Sequence, residues 1–135
     1  MAKKIFINLP VADLQKSTTF YTEIGFTNNP QFTDETAACM VLTDEIYVML
    51  LTHLKFKEFT KKEIGNAFTT ASVINSLSVD SVDEVNLMAD KALSAGGKET
   101  NEPKDYGFMQ QRSFQDLDGH LWEVVYVDVT KFPAE

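Results

Sequence analysis

Val79-Asp80-Ser81-Val82-Asp83-Glu84 reads as a capping box: the Ser81 hydroxyl and the Glu84 carboxylate are spaced to satisfy the orphan amides that open a helix. Val82, Val85, Met88, Ala89, Ala92 and Leu93 then supply an apolar stripe at helical spacing, and Gly96-Gly97 closes it. The same arrangement occurs 68 positions upstream. Val11-Ala12-Asp13 places an N-cap aspartate before Leu14, Ser17, Thr18 and Tyr21 at helical spacing, with Phe20 and Ile24 beside them and Gly25 as the stop. In this register Phe6 matches Ile74 and Asn8 matches Ser76, so one module has been duplicated.

Working outward, Lys4 to Leu9 is β-branched and apolar and predicts a strand ending at Pro10, which removes a backbone donor. Asn28-Asn29-Pro30 predicts a turn, and Ala37–Leu42 with Ile46–Leu51 predicts a hairpin about Thr43-Asp44-Glu45. His53 to Phe68 reads as a linker with a short helix. Beyond it, Ser72–Val79 is extended in character, Lys98–Glu102 predicts a short strand before Pro103, and Met109–Gln115 with His120–Val127 predicts a hairpin about Asp116-Leu117-Asp118-Gly119. The expectation is an α+β fold of two βαβββ modules forming a cupped mixed β-sheet with the helices outside. Module one covers about residues 1–53, a linker about 54–69 and module two about 70–130, all within one domain. Two such modules are expected to bury their open faces against each other around a cleft, where small ligands usually sit.

The chain has 135 residues with 12 Lys and Arg against 20 Asp and Glu, a net charge of −8. That balance argues against nucleic acid and anionic membranes, whose affinity depends on clustered basic residues. With 44% hydrophobic residues a core is available without a disulfide, and the lone Cys39 cannot form one within the chain. No segment has the length of a spanning helix or the form of an export signal, so a cytoplasmic protein is expected.

Leu9-Pro10-Val11-Ala12-Asp13-Leu14-Gln15-Lys16-Ser17, with Phe20-Tyr21 and Gly25-Phe26, resembles the first-half signature of the glyoxalase, bleomycin-resistance and extradiol-dioxygenase superfamily, also called vicinal oxygen chelate proteins. Tyr106-Gly107, Arg112-Ser113-Phe114 and Asp116-Leu117-Asp118-Gly119-His120-Leu121-Trp122-Glu123-Val124 are similar to its closing hairpin, with Leu117 where a proline is usual. The resemblance runs from about residue 4 to about residue 128. It implies the glyoxalase-like fold, commonly completed by a homodimer, and in metal-dependent members a set of His, Glu and Gln ligands. Glu123 matches the closing-strand ligand. Phe6 and Ile74 fall where first-strand ligands would be, and the fourth position, near Val48 or Met49, also lacks a carboxylate. A single carboxylate does not hold a hard divalent ion at useful affinity. No metal ligands and no cofactor are therefore assigned, and a divalent metal is kept only as an alternative.

Glu123 is the candidate catalytic residue, lying in the otherwise apolar Leu121–Val127 run, where it suits a general base or acid or a partner for a cationic ligand. Asn8 and Ser76 offer oxygen atoms on the first strand of each module. Arg112, the one arginine, is a planar fork suited to carboxylate or phosphate, with a salt bridge near Asp116 or Glu123 as its structural alternative. Met49 and Tyr106 are candidate ligand-lining residues among the methionines and aromatics. His120 is assigned to the hairpin turn, His53 to the surface and Cys39 to the core. The expected function is a small-molecule-binding protein; the alternative is a lactoylglutathione-lyase-like lyase, isomerase or dioxygenase using Glu123 and a divalent metal.

Overall fold

Both helix starts form as their capping residues dictate. The computed structural model describes residues 2–131. In it the Asp13 side chain accepts from the Lys16 amide at 3.0 Å to open α1 (Leu14–Glu23). Ser81 Oγ accepts from the Glu84 amide at 3.1 Å to open α3 (Val82–Ser94), while Glu84 reaches back to the Asp80 amide at 2.6 Å. The carboxylate thus reaches one residue beyond the usual box partner. Between these helices lies a short α2 (His53–Phe56), capped by Thr52.

The chain divides into two compact units, Met1–Thr70 and Ala71–Glu135. The first has β1 (Ile5–Val11), α1, β2 (Thr27–Asn29), β3 (Ala37–Val41), β4 (Ile46–Thr52) and α2, its sheet ordered β1-β4-β3-β2 with β1 parallel to β4. The second has β5 (Ile74–Ser78), α3, β6 (Lys98–Asp105), β7 (Met109–Gln115) and β8 (Leu121–Val127), ordered β5-β8-β7-β6 with β5 parallel to β8. Each is a four-stranded mixed sheet with a helix packed on it: the βαβββ order read twice in the sequence is present twice. No described helix is long and apolar enough to cross a membrane.

Three elements differ from expectation. β1 continues through Pro10 to Val11, which costs nothing because β1 is an edge strand. Asn28 and Asn29, read with Pro30 as a turn, lie in β2, which pairs antiparallel with β3, and Pro30 then starts a 3₁₀ turn capped by Asn29. β6 runs through Pro103 to Asp105; it is also an edge, and its pairing with β7 shifts register between Asn101 and Lys104, so the missing proline N–H interrupts an already irregular ladder.

Strand alternation builds the cores. In the first unit Leu9, Val11, Met40, Val48 and Leu50 are buried with Phe20 and Tyr21 of α1, and Tyr21 meets Phe26 edge-on at 5.4 Å. In the second, Leu77, Phe114, Trp122 and Val124 are buried with Val85, Ala89 and Ala92 of α3. Burial of side chains of this size contributes roughly 1.5–3 kcal/mol each. Gly96, at φ +107°, ends α3, and a Cβ there would lie 3.0 Å from Leu117 Cδ2 in the β7–β8 turn. That turn is tied by buried Asp116, whose Oδ1 accepts from the Asp118 and His120 amides at 2.9 Å each.

Candidate functional site

Glu123 stands on β8 between buried Trp122 and Val124, so alternation turns it to the sheet face away from α3. The parallel register sets it opposite Ser76 of β5, and the antiparallel register sets it opposite Ser113 of β7. Ser76 Oγ donates to Glu123 Oε1 at 2.7 Å, and Gln111 Nε2 donates to Oε2 at 2.7 Å. Both carboxylate oxygens are therefore fixed by neutral donors. Among the described residues no lysine or arginine forms an ion pair with Glu123. Ile74, Leu121, Val125 and Met109 share this face by register, together with the polar Ser113, Gln115 and Lys104.

Of the residues expected from the sequence, the structure brings Ser76 to Glu123. Asn8 lies in the first unit, on β1 opposite Met49 of β4, and its Nδ2 donates to the Phe6 carbonyl at 3.3 Å. Met49 is half-buried there. Phe6 beside them stacks on Tyr47 with ring centroids 4.5 Å apart. Tyr106 is half-exposed in the β6–β7 turn, its amide bonded to the Met109 carbonyl at 2.8 Å.

Arg112 is not brought to Glu123, nor does it bridge to Asp116. It occupies the opposite face of β7, where its guanidinium meets Asp90 Oδ1 at 2.7 Å, Glu99 Oε1 at 3.2 Å and Asn86 Oδ1 at 3.3 Å. The reason is parity: Gln111 and Ser113 share the Glu123 face, so Arg112 between them must face α3. Burial works against the guanidinium charge, but hydrogen bonds and charges from Asp90 and Glu99 outweigh it and hold its pKa above the ordinary value. Gln111, which orients Glu123, is not among the residues singled out in the sequence. A signal existed, since the turn at Asp116–Gly119 sets Ser113 opposite Glu123 and so puts Gln111 on the same face.

His53 opens α2 on the surface. The backbone of His120 closes the β7–β8 turn, its carbonyl accepting from the Asp116 amide at 3.0 Å. Cys39 is buried on β3, and burial pushes its thiol pKa up.

The family model described as "Glyoxalase/Bleomycin resistance protein/Dioxygenase superfamily" matches residues 5–124. The chain belongs to this superfamily. Among solved structures, it is similar to hypothetical protein SA1046 from S. aureus, with 29% identity, 93% of this chain and 95% of that chain covered, and a TM-score of 0.77. A glyoxalase/bleomycin resistance protein/dioxygenase family enzyme from Burkholderia phytofirmans PsJN shares the fold at 16% identity, 93% and 99% coverage and a TM-score of 0.78. So does the fosfomycin resistance protein FosX from Listeria monocytogenes, at 17% identity, 100% and 94% coverage and a TM-score of 0.66. A search of curated proteins gave no match.

The divalent metal that glyoxalase-superfamily membership suggests does not fit the donors present. Ile74, at the matched β5 position, has no donor atom, and Phe6, at the matched β1 position, has only a stacked ring to offer. Among the described residues no group of three or more His, Cys, Asp or Glu stands together to hold an ion. What the Glu123 face offers chemically is a carboxyl group oriented by two neutral donors on a face that also carries apolar side chains. Such a group accepts an ammonium or takes up a proton from a bound ligand.

Proposed function

We propose that this superfamily member is a small-molecule-binding protein whose ligand is anchored by Glu123 on the face of the second sheet, and that the ligand is an amine with an apolar body. The observation that carries the reading is the Ser76–Glu123–Gln111 arrangement. Two neutral donors at 2.7 Å orient the carboxylate without neutralising it, leaving its charge to be met by something outside the unit. The protein's charge of −8 favours approach of a cation through long-range steering. Ile74, Leu121, Val125 and Met109 suit the ligand's apolar part. A homodimer and a cytoplasmic setting belong to the same proposal.

The test is calorimetric titration with phenethylammonium, and with 3-phenylpropionate as the oppositely charged analogue, on the wild-type protein and Glu123→Gln. A charge-assisted hydrogen bond is worth roughly 1.5–3 kcal/mol, so the variant should bind the ammonium about tenfold or more weaker. Its folding should be unchanged, because the Ser76 hydroxyl and the Gln111 amide can each turn to suit a neutral partner. Equal affinity in the two proteins, or preference for the carboxylate, refutes the assignment.

A further inference from the structure

Strand β6 divides its charges between two faces. Glu99, opposite Phe114 in the ladder, meets Arg112 on the α3 side, and Asp105, opposite Gln110, accepts from Gln110 Nε2 at 3.0 Å. Lys98 pairs with Gln115, Asn101 with Ser113 and Lys104 with Gln111, and those three β7 residues share the Glu123 face. The spacing of three along β6 arises from its two register shifts. Continued from Lys98 without interruption, the ladder would set Lys104 opposite Met109. The shifts set it opposite Gln111 instead, one alternate position closer to Glu123, and bring Asn101 to the same face.

Asn101, Ser113 and Glu123 therefore stand in line across the sheet, with Lys98 and Lys104 on either side of Asn101. Two inter-strand steps, about 10 Å, separate the α-carbons of Asn101 and Glu123. The floor between them is neutral: Gln111, Ser113 and Gln115 carry no charge, and Gln111 is already bonded to Glu123 at 2.7 Å. Both lysines are exposed on flexible four-carbon stems. Among the described residues neither forms an ion pair with Glu99, Glu102 or any other carboxylate. The face thus bears a carboxylate on one side and two ammonium groups on the other, which do not meet.

We infer that the ligand of this face is a zwitterion, its ammonium on Glu123 and a carboxylate at the far end of its apolar body on Lys98 and Lys104. The inference rests on the amine reading above and narrows its ligand class. An amine without an acidic group leaves both lysines to water, whereas an amino acid whose charges are held several ångströms apart by an apolar spacer meets all three side chains. Exposed ion pairs are individually weak, so the two lysines together are expected to add about fivefold in affinity.

The test is calorimetric titration of the full chain with 4-(aminomethyl)benzoate, with benzylammonium and 4-methylbenzoate as its singly charged analogues. The wild-type protein should bind the zwitterion about fivefold tighter than benzylammonium, and 4-methylbenzoate more weakly than either. In Lys98→Gln/Lys104→Gln that preference should vanish, while benzylammonium binds as well as before or better, since repelling charges have gone. Both positions are exposed on an edge strand, so the melting temperature should stay at the wild-type value. Lys16→Gln/Lys91→Gln removes the same charge from α1 and α3 and should leave the preference intact, which separates contact from long-range steering. Glu123→Gln should weaken both amines about tenfold. If Glu123→Gln does so, yet the wild type shows no preference for the zwitterion, the Lys98/Lys104 variant retains it, or the Lys16/Lys91 variant loses it equally, this inference is overturned and the amine site stands. Unaltered affinity of both amines in Glu123→Gln removes the amine site itself, and the zwitterion with it.

Discussion

Replacing Arg112 by methionine decides between a ligand anchor and an internal tie. Methionine keeps most of the apolar stem, so the change chiefly removes the guanidinium. That group is only 13% exposed, whereas its partners Asp90 and Glu99 are 66% and 35% exposed. The Asp90 pair is heavily screened and contributes a few tenths of a kcal/mol; the two N–H bonds to Glu99 Oε1, less exposed, contribute about 1 kcal/mol. The total loss is therefore about 1–2 kcal/mol. For a chain of this length that corresponds to a fall in Tm of about 4–8 °C. Trp122, the one tryptophan and buried in the same unit, reports unfolding directly by fluorescence in a urea titration. A cycle with Glu99→Gln should give a coupling of about 0.5–1 kcal/mol. Phenethylammonium binding should be unaffected, because Arg112 and Glu123 lie on opposite faces. A variant with unchanged stability that no longer binds the amine would show that the guanidinium serves the ligand, and the parity argument would fail.

Cys39, buried and with its thiol pKa raised, should resist a thiol-specific reagent at pH 8 in the native state and react fully in denaturant; fast native labelling would contradict its core placement. Asp34 Oδ1 accepts from the Thr36 hydroxyl and amide at 2.7 Å each and from the Ala37 amide at 3.0 Å, led by the hydroxyl bond in holding its pKa below 3.8. A depressed carboxylate pKa stabilises the fold above the unfolded value, and that contribution disappears as pH falls through the folded value. Asp34→Asn should therefore flatten the pH dependence of unfolding below about pH 4 and leave it alike at pH 7; parallel wild-type and variant curves would refute this.

Local chemistry made most of the fold legible. The caps at Asp13 and Ser81 and the glycine stop at Gly96 act within a few residues, so the sequence displays them directly. β2 was not legible, because three residues form a strand only when β3 offers a ladder, and β6 was misjudged because the effect of Pro103 depends on whether its strand lies at an edge. At the site, the family resemblance singled out Glu123 and the repeat singled out Ser76, and the parallel register of β5 and β8 sets the two opposite each other. The partners of Arg112 were not, since Asp90 is brought to it by the packing of α3, 22 positions away. Gln111 was overlooked although hairpin parity places it, because a strand glutamine carries no local signal that it will orient a carboxylate across the ladder.

The alternation along β8 also governs how the chain finds its alignment. Sliding β8 by one position against β7 would carry Glu123 beneath α3 and expel Trp122 into water. It would forfeit the largest apolar group of the unit and strip the carboxylate of Ser76 and Gln111 together. Each misaligned hairpin is thus penalised twice over, and the acidic side chain that equips one surface also proofreads strand register as the sheet assembles.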